Sequence, residues 1–596
     1  MASNASTDTR RRFKTDLDNA TGQIRASLLV LALFSFAINL LMLTSPLYML
    51  QVYDRVLVSG RIETLVMLTV LAGAALFVLG VLDALRSSVM VRMGCWLNDR
   101  LAPVLISSGV RARLVGDNAG AQPLRDLAQV QSFLSSQGLA ALFDAPWTPV
   151  FLALIWLLHP VLGAFAVGSA LLLALLGLLN EMMTRSASQT ASTTQIAALQ
   201  QAETTIRNAE VVRAMGMLPG LLERWRTSND ASIAAARSSA ERGAAILGFT
   251  KFLRFFVQSA TLGIGAYLVL KGEVTGGAMI ASSILLGRAL APIEFAMGSW
   301  RNISTTRIAY ARLKARLQGI PPEPQRTRLP EPYGHISLNH VSYAAPGSKA
   351  PVVDKVSLRL TPGEALAVIG PSASGKSTLC RLIAGIATPS AGEIRLDGSE
   401  LHHWNTEQLG RCVGYLPQDV ELFSGSIRDN ISRMAKADDD EIVQAAMLAH
   451  AHEMIQRLPQ GYETPIGDAG ARLSGGERQR IGLARAVFGN PKVIILDEPN
   501  ANLDQSGEMA LAAAVRELKS RGVALMIVGH RPSTLAQADK ILFLREGRVE
   551  LFGQREDVLG RLRLASGEST RQAPQLRDGE APAIRMPRAT EMNGDH

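Results

Sequence analysis

Apolar positions in this 596-residue chain fall into two regimes. Up to about residue 310 they form long unbroken runs; beyond about residue 330 they form short runs punctuated by glycine, proline and charge. A membrane-spanning helix needs about 20 mostly apolar residues. Ala26–Tyr53 carries no charge and predicts the first span; Thr64–Leu82 predicts a second, ending near Asp83 and Arg86. Ala145–Asn180 contains no Asp, Glu, Lys or Arg. It is too long for one helix, and His159-Pro160 breaks it at a turn. The pattern therefore gives a third span, beginning near Leu139, and a fourth. Two weaker runs, Ala244–Leu270 and Gly276–Trp300, predict spans five and six, joined by Lys271-Gly272-Glu273.

Six spans place both termini on one side of the bilayer, together with the long polar segments Ser87–Gly138 and Glu181–Gly243. These carry Arg92, Arg100, Arg111, Arg113, Arg207, Arg213, Arg224 and Arg226, while the opposite loops are short and poor in basic residues. The positive-inside rule assigns that basic side to the cytoplasm. The helical composition of both segments predicts spans that continue well past the bilayer. Four charges fall within the weak spans: Lys251 and Arg254 in the fifth, Arg288 and Glu294 in the sixth. Two readings stand open, a polar translocation path or side chains near the interface that snorkel to water.

The second regime reads as a soluble α/β domain. Ala365–Ile369 is a buried-strand pattern, and it runs into Gly370-Pro371-Ser372-Ala373-Ser374-Gly375-Lys376-Ser377-Thr378. This is the phosphate-binding loop pattern. Backbone N–H groups close on phosphates, Lys376 neutralises the β/γ charge and the Ser377 hydroxyl suits Mg2+. The following helix directs its N-terminus at the anion. A second apolar strand, Val493–Asp497, carries a carboxylate at its tip, as a magnesium site requires. Glu498 follows, placed to act as base on an attacking water.

Between these two motifs stands Leu473-Ser474-Gly475-Gly476-Glu477-Arg478-Gln479. It resembles the signature sequence of ABC ATPases. The resemblance implies an ABC exporter fold: a six-helix membrane domain followed by an α/β P-loop ATPase domain. It further implies roles for single residues. Tyr343 would stack on adenine; Gln418, in Tyr415-Leu416-Pro417-Gln418, would link Mg2+ to the membrane half. Asp504 would be the D-loop aspartate, and His530 would contact the γ-phosphate. Ser474 and Gly476, with Gly475 between them, would reach ATP held by a second copy, so a homodimer is implied. In Thr464-Pro465-Ile466-Gly467-Asp468-Ala469-Gly470, Asp468 stands where this family usually has glutamate.

The membrane half narrows the resemblance. Ser45-Pro46-Leu47-Tyr48-Met49-Leu50-Gln51-Val52-Tyr53-Asp54-Arg55-Val56, Phe143-Asp144-Ala145-Pro146-Trp147-Thr148-Pro149 and Gly287-Arg288-Ala289-Leu290-Ala291-Pro292 are similar to motifs of type I protein-secretion permease/ATPases. So is Glu498-Pro499-Asn500-Ala501-Asn502-Leu503-Asp504. That family implies an exporter in the bacterial inner membrane that works with a periplasmic adaptor and an outer-membrane channel. Its cargo would be an unfolded secreted protein with a C-terminal signal. An exporter of lipids or small molecules on the same scaffold is the alternative. With only about 25 residues before span one, no N-terminal peptidase-like domain and no leader cleavage are expected.

Composition fits this picture. The net charge of +9 reflects Arg10, Arg11, Arg12, Lys14 and the cytoplasmic arginines, so no nucleic-acid partner is inferred. Cys95, Cys380 and Cys412 have no metal-ligand spacing and read as free thiols. The expected organisation is a cytoplasmic tail 1–25, a membrane domain 26–315, an ATP-binding domain 330–560 and a disordered tail 566–596.

Overall fold

The computed structural model describes residues 26–114, 116, 120–319, 326–345, 347–348, 350–467, 470, 473–529 and 531–570. The chain divides into two compact units, Met1–Pro324 and Gln325–His596. The expected N-terminal tail lies outside the described residues, as does the C-terminal stretch after the last helix, Arg555–Thr570.

Among the described residues of the first unit, six helices are long and apolar enough to cross a membrane: Ala26–Ser59, Ile62–Leu114, Gln137–Leu158, Pro160–Arg207, Leu218–Leu270 and Gly276–Gly298. The second, fourth and fifth contain 53, 48 and 53 residues. At 1.5 Å rise per residue they are about 70–80 Å long, more than twice the apolar thickness of a bilayer. The expected extensions are therefore continuous helix. The long polar segments also contain two shorter helices, Gln122–Leu134 and Ala209–Ala214, and Trp300–Gly319 follows span six.

Span one is longer than its uncharged run. Charge at Asp54 and Arg55 marks its predicted end, yet the chain stays helical to Ser59, through a π-helical turn at Val52–Val56, and stops at Gly60 with φ 65°. The wider turn aims Asp54 at the start of span six. Its carboxylate accepts hydrogen bonds from the Gly277 backbone N–H (2.8 Å) and the Thr275 hydroxyl (2.6 Å). An anion at a helix N-terminus meets unsatisfied N–H groups and the positive dipole end. A Cβ at Gly277 would lie 2.6 Å from the Asp54 carboxylate, so glycine is required there. The turn at His159-Pro160 forms as predicted. His159 Nδ1 accepts from the Val161 N–H, and Nε2 faces Glu273, 3.4 Å away in the loop between spans five and six.

The charges in the spans have partners of two kinds. Arg86 is buried, and its guanidinium donates to Asp144 of span three (3.1 Å), to Asp83 (2.6 Å) and to the Ser35 hydroxyl of span one (3.1 Å). Asn39 of span one donates to the same Asp144 carboxylate at 2.8 Å. One polar cluster thus ties three spans together. Arg254 pairs with Glu294 across spans five and six, while Lys251 and Arg288 are exposed.

In the second unit, a six-stranded sheet has the spatial order Arg548–Gln554, Lys540–Arg545, Ala365–Ile369, Ala524–Val528, Val493–Asp497, Val413–Leu416. All neighbours are parallel except the first pair. A separate antiparallel sheet contains Ile336–Tyr343, Val353–Leu360, Ala391–Leu396 and Ser399–Glu400. Alternate strand residues enter two different cores. Leu366, Val368, Ile495, Met526 and Val528 pack with the helix Lys376–Ile383 and the antiparallel sheet. Ile494, Leu496, Leu525 and Ile527 pack with the helices Gly475–Val487 and Gln505–Ser520.

Removing Asp144 takes a charged partner from the buried Arg86, which keeps Asp83 and Ser35. Asp144→Leu should therefore destabilise the membrane unit by about 2 kcal/mol, read as a lowered melting temperature in detergent. The double variant Arg86→Met/Asp144→Leu should recover part of that loss. A single variant as stable as the parent would show that the cluster holds nothing together.

Candidate functional site

The parallel strands all point their C-terminal ends the same way, and the chain leaves four adjacent strands at that edge. Ile369 leads into Gly370, Leu416 into Pro417-Gln418, Asp497 into Glu498, and Val528 into Gly529. Register fixes their alignment: Val528 pairs with Val368 on one side and Asp497 on the other, and Leu416 pairs with Leu496. This is where parallel α/β sheets hold ligands.

The loop after Ile369 is tightly folded. Gly370 has φ 152°, Ala373 62° and Gly375 96°. A Cβ on Gly370 would lie 2.1 Å from the Leu544 carbonyl oxygen, and one on Gly375 2.6 Å from that of Val352. Only glycine fits both places. Pro371, Ser372 and Ala373 are exposed along the loop and Ser374 is buried. Lys376 Nζ lies over the loop, donating to the carbonyls of Gly370 (2.9 Å) and Pro371 (2.7 Å). Gly375 caps the helix Lys376–Ile383, so Lys376, Ser377 and Thr378 form its first turn, with their N–H groups unpaired within the helix. Tyr343 is half-buried at the end of its strand. Its carbonyl accepts from Val352 N–H (2.8 Å), and Val352 in turn abuts Gly375, which brings Tyr343 beside the loop.

Asp497 shares strand parity with Val493 and Ile495, so it faces the side on which the phosphate-loop helix packs. Its residue is 2% exposed. Burial raises its pKa above the ordinary carboxylate value, opposed by a hydrogen bond with Ser377. Asp497 Oδ1 is buried without a hydrogen-bond partner among the described residues. Glu498 follows with φ 50°, a left-handed conformation that costs a residue bearing a side chain. Its N–H is fixed to the Val528 carbonyl (3.1 Å), and its carboxylate accepts from Gln418 Nε2 (3.1 Å). Lys376, Ser377, Gln418, Asp497 and Glu498 are thus gathered at one edge.

The signature segment lies elsewhere. Ser474 caps the helix Gly475–Val487 through a reciprocal pair with Glu477. This helix belongs to the core on the sheet's other face. Gly475 and Gly476 lie against Asn502, Gln479 donates to the Pro499 carbonyl, and Arg480 faces Asp504 at 3.6 Å. Asp504 caps the helix Gln505–Ser520. The signature and the segment from Glu498 to Asp504 therefore form one connected body, while the phosphate-loop helix packs on the opposite face. His530 and Asp468 lie outside the described residues. Sequence reading missed Glu508, which pairs with Arg531 and accepts from the Ser533 hydroxyl, pinning the segment after His530. No local pattern signals that tie across 23 residues.

Because the folded-state pKa of Asp497 is raised, its contribution to stability declines as pH rises through that value, and the full cost is present at pH 7. Asp497→Asn should therefore stabilise the nucleotide-free protein in EDTA at neutral pH, seen as a higher melting temperature. The gain should narrow as pH is lowered toward the carboxylate range. Thermal melts across pH check this; a variant less stable at every pH would refute it.

The ABC transporter family model matches residues 353–501, and the model of the ABC transporter transmembrane region matches residues 122–290. The type I secretion system ATP-binding protein PrsD of Rhizobium meliloti is 42% identical over 543 residues, covering 90% of this chain and 93% of that protein. The toxin RTX-I translocation ATP-binding protein of Actinobacillus pleuropneumoniae is 32% identical over 552 residues, covering 88% of this chain and 75% of that one. A solved bacterial Atm1-family ABC exporter with ATP bound matches in fold with a TM-score of 0.78, over 93% of this chain and 99% of that one, at 23% identity. The chain therefore belongs to the ABC transporter family, as a membrane-embedded ATP-hydrolysing transporter grouped with the type I secretion ATP-binding proteins.

Proposed function

We propose that this protein works as a homodimer in the bacterial inner membrane, using ATP to export unfolded polypeptides that carry a C-terminal signal. It would pass them to a periplasmic adaptor and an outer-membrane channel. The observation that carries this reading is the likeness to secretion and toxin-translocation proteins, which extends through the membrane half as well as the ATPase.

The proposed chemistry follows from the gathered edge. The phosphate loop, Gly370–Thr378, would hold the ATP phosphates through backbone N–H groups, with Lys376 neutralising the β/γ charge and Tyr343 beneath the adenine. Ser377, Gln418 and Asp497 would hold Mg2+. The unpartnered buried oxygen of Asp497, beside the Ser377 hydroxyl, fits a hard cation that takes oxygen ligands. Bound there, the ion would offset phosphate charge. Glu498 would orient and deprotonate the attacking water, and His530 would contact the γ-phosphate. Ser474, Gly475 and Gly476 pack on the other face of the sheet from the phosphate-loop helix. This supports a site completed by a second copy, with Asp504 beside the junction. ATP then favours the closed pair because both copies bind it, and hydrolysis removes that differential affinity.

Glu498→Gln should retain ATP and cut turnover at least about 100-fold. Lys376→Ala should instead weaken ATP affinity itself, measured by calorimetry on the purified protein. Normal turnover in the first, or unaltered affinity in the second, would contradict these roles. For the cargo, ATP hydrolysis in lipid should be stimulated by C-terminal peptides of secreted proteins and not by lipids or small amphiphiles. The reverse response would favour the alternative exporter.

A further inference from the structure

Of the four charges in spans five and six, Lys251 and Arg288 have no acidic partner among the described residues, and Arg288 belongs to the more enclosed span. Span six, Gly276–Gly298, is the most enclosed of the six: 44% of its most apolar stretch is buried, against none for span two. It packs on elements of spans one, three, four and five. From 276 to 287 none of its residues is exposed, and at Arg288 the helix opens. Ala291 and Phe295 continue the same exposed face at helical spacing. The adjacent Ala289 is buried, and its carbonyl accepts from the Thr148 hydroxyl of span three at 3.1 Å.

The position of Arg288 weighs against the interfacial reading. It stands twelve residues from Gly276 and ten from Gly298, about 18 Å and 15 Å along the helix. A guanidinium near the middle of a helix of span length has a long way to snorkel to water at either end. Arg254 has a neutralising partner in Glu294; Arg288 has no acidic partner among the described residues. An uncompensated charge at that depth persists where it faces water or a passing anion rather than acyl chains. Lys251, exposed near the cytoplasmic end of span five, has the same sign.

We infer that Arg288 stands on the wall of the translocation path at mid-membrane and binds carboxylates of the polypeptide in transit, so that acidic stretches are carried in preference. This rests on the protein-export reading and names the chemistry that path selects. A planar guanidinium suits this task, since it stays charged and matches a carboxylate with paired donors.

The test uses the full-length protein in nanodiscs of zwitterionic lipid. The probes are two unstructured synthetic peptides of equal length, one rich in Glu and the other its Gln counterpart. In Arg288→Gln, the half-saturating concentration of the Glu peptide for stimulating ATP hydrolysis should rise about tenfold. In Arg288→Lys it should stay within about threefold of the parent, and the Gln peptide should act alike on all three. Placement is read separately: Arg288→Cys, with Cys95→Ser and Cys412→Ser, should react with a membrane-impermeant thiol reagent, and saturating Glu peptide should slow that reaction. Failure to label, or a disulfide forming between the two copies in its place, would put the residue against lipid or the second copy and overturn the inference. So would equal responses of parent and Arg288→Gln to the Glu peptide. An effect of anionic lipid that depends on Arg288 and displaces the peptide would assign the site to a headgroup. If neither peptide stimulates the parent while labelling proceeds, the residue faces water but the polypeptide reading falls, and the carboxylate role with it.

Discussion

A pleated sheet has two faces, and the ATPase unit is organised by that fact. Residues of one parity on the central strands hold the phosphate-loop helix; those of the other hold the signature helix. Asp497 has the parity of the phosphate-loop side, while the segment that follows it reaches back to the signature helix through Pro499, Asn502 and Asp504. Groups that would bind and activate nucleotide thus gather at one edge, and the groups that would recognise its far end are mounted on the opposite core. The proposed homodimer would complete both: an isologous pair uses the same surface twice, which would give two identical sites.

The membrane unit obeys a different constraint, the cost of charge in hydrocarbon, about 2.5–3.5 kcal/mol for an arginine at a helix centre. It meets this by pairing. Arg86 is enclosed by carboxylates from its own helix and from span three, with hydroxyl and amide groups of span one completing the cluster. Arg254 and Glu294 offset each other. Asp54 spends its charge on the exposed N–H groups of a helix start. Each arrangement joins different spans, so the charges also specify which span lies beside which. Packing of apolar surfaces alone specifies this poorly, because lipid tails are as apolar as leucine.

These arrangements explain what could and could not be read from the chain. The phosphate loop was legible because its glycines, Lys376 and Ser377 are contiguous and each is needed by the same short turn. Spans were legible because hydropathy is local. Partnerships were not: Asp144 lies 58 residues from Arg86, and Thr275 lies 221 from Asp54, and nothing local to either member signals the other. The helix of span one continues beyond its uncharged run to Ser59 for a related reason. Asp54 and Arg55 look like an exit from the membrane, but the π-turn converts Asp54 into a cap for span six. Arg254 and Glu294 compensate each other across spans five and six, a partnership that neither run shows by itself. Strand parity, by contrast, was latent in Val493–Asp497 and needed only the identity of the packing partners to place its carboxylate.

One further connection bears on how work done on nucleotide could reach the spans. The chain enters the ATPase unit through Trp300–Gly319, the helix that follows span six. That helix is not free. Arg312 makes two hydrogen bonds to the buried Asp126 at 2.6 and 2.9 Å, and Gln129 donates to Asn302 at 2.8 Å. Both Asp126 and Gln129 belong to Gln122–Leu134, which leads into span three. A paired guanidinium and carboxylate resist both rotation and sliding better than a single contact does. Within the membrane unit, a displacement of this helix would therefore bear on span six and span three together. Those two spans also meet where the Thr148 hydroxyl bonds the Ala289 carbonyl, one residue from Arg288. Within the membrane unit, the contacts of Trp300–Gly319 and of Ala289 thus tie span six to span three at two levels.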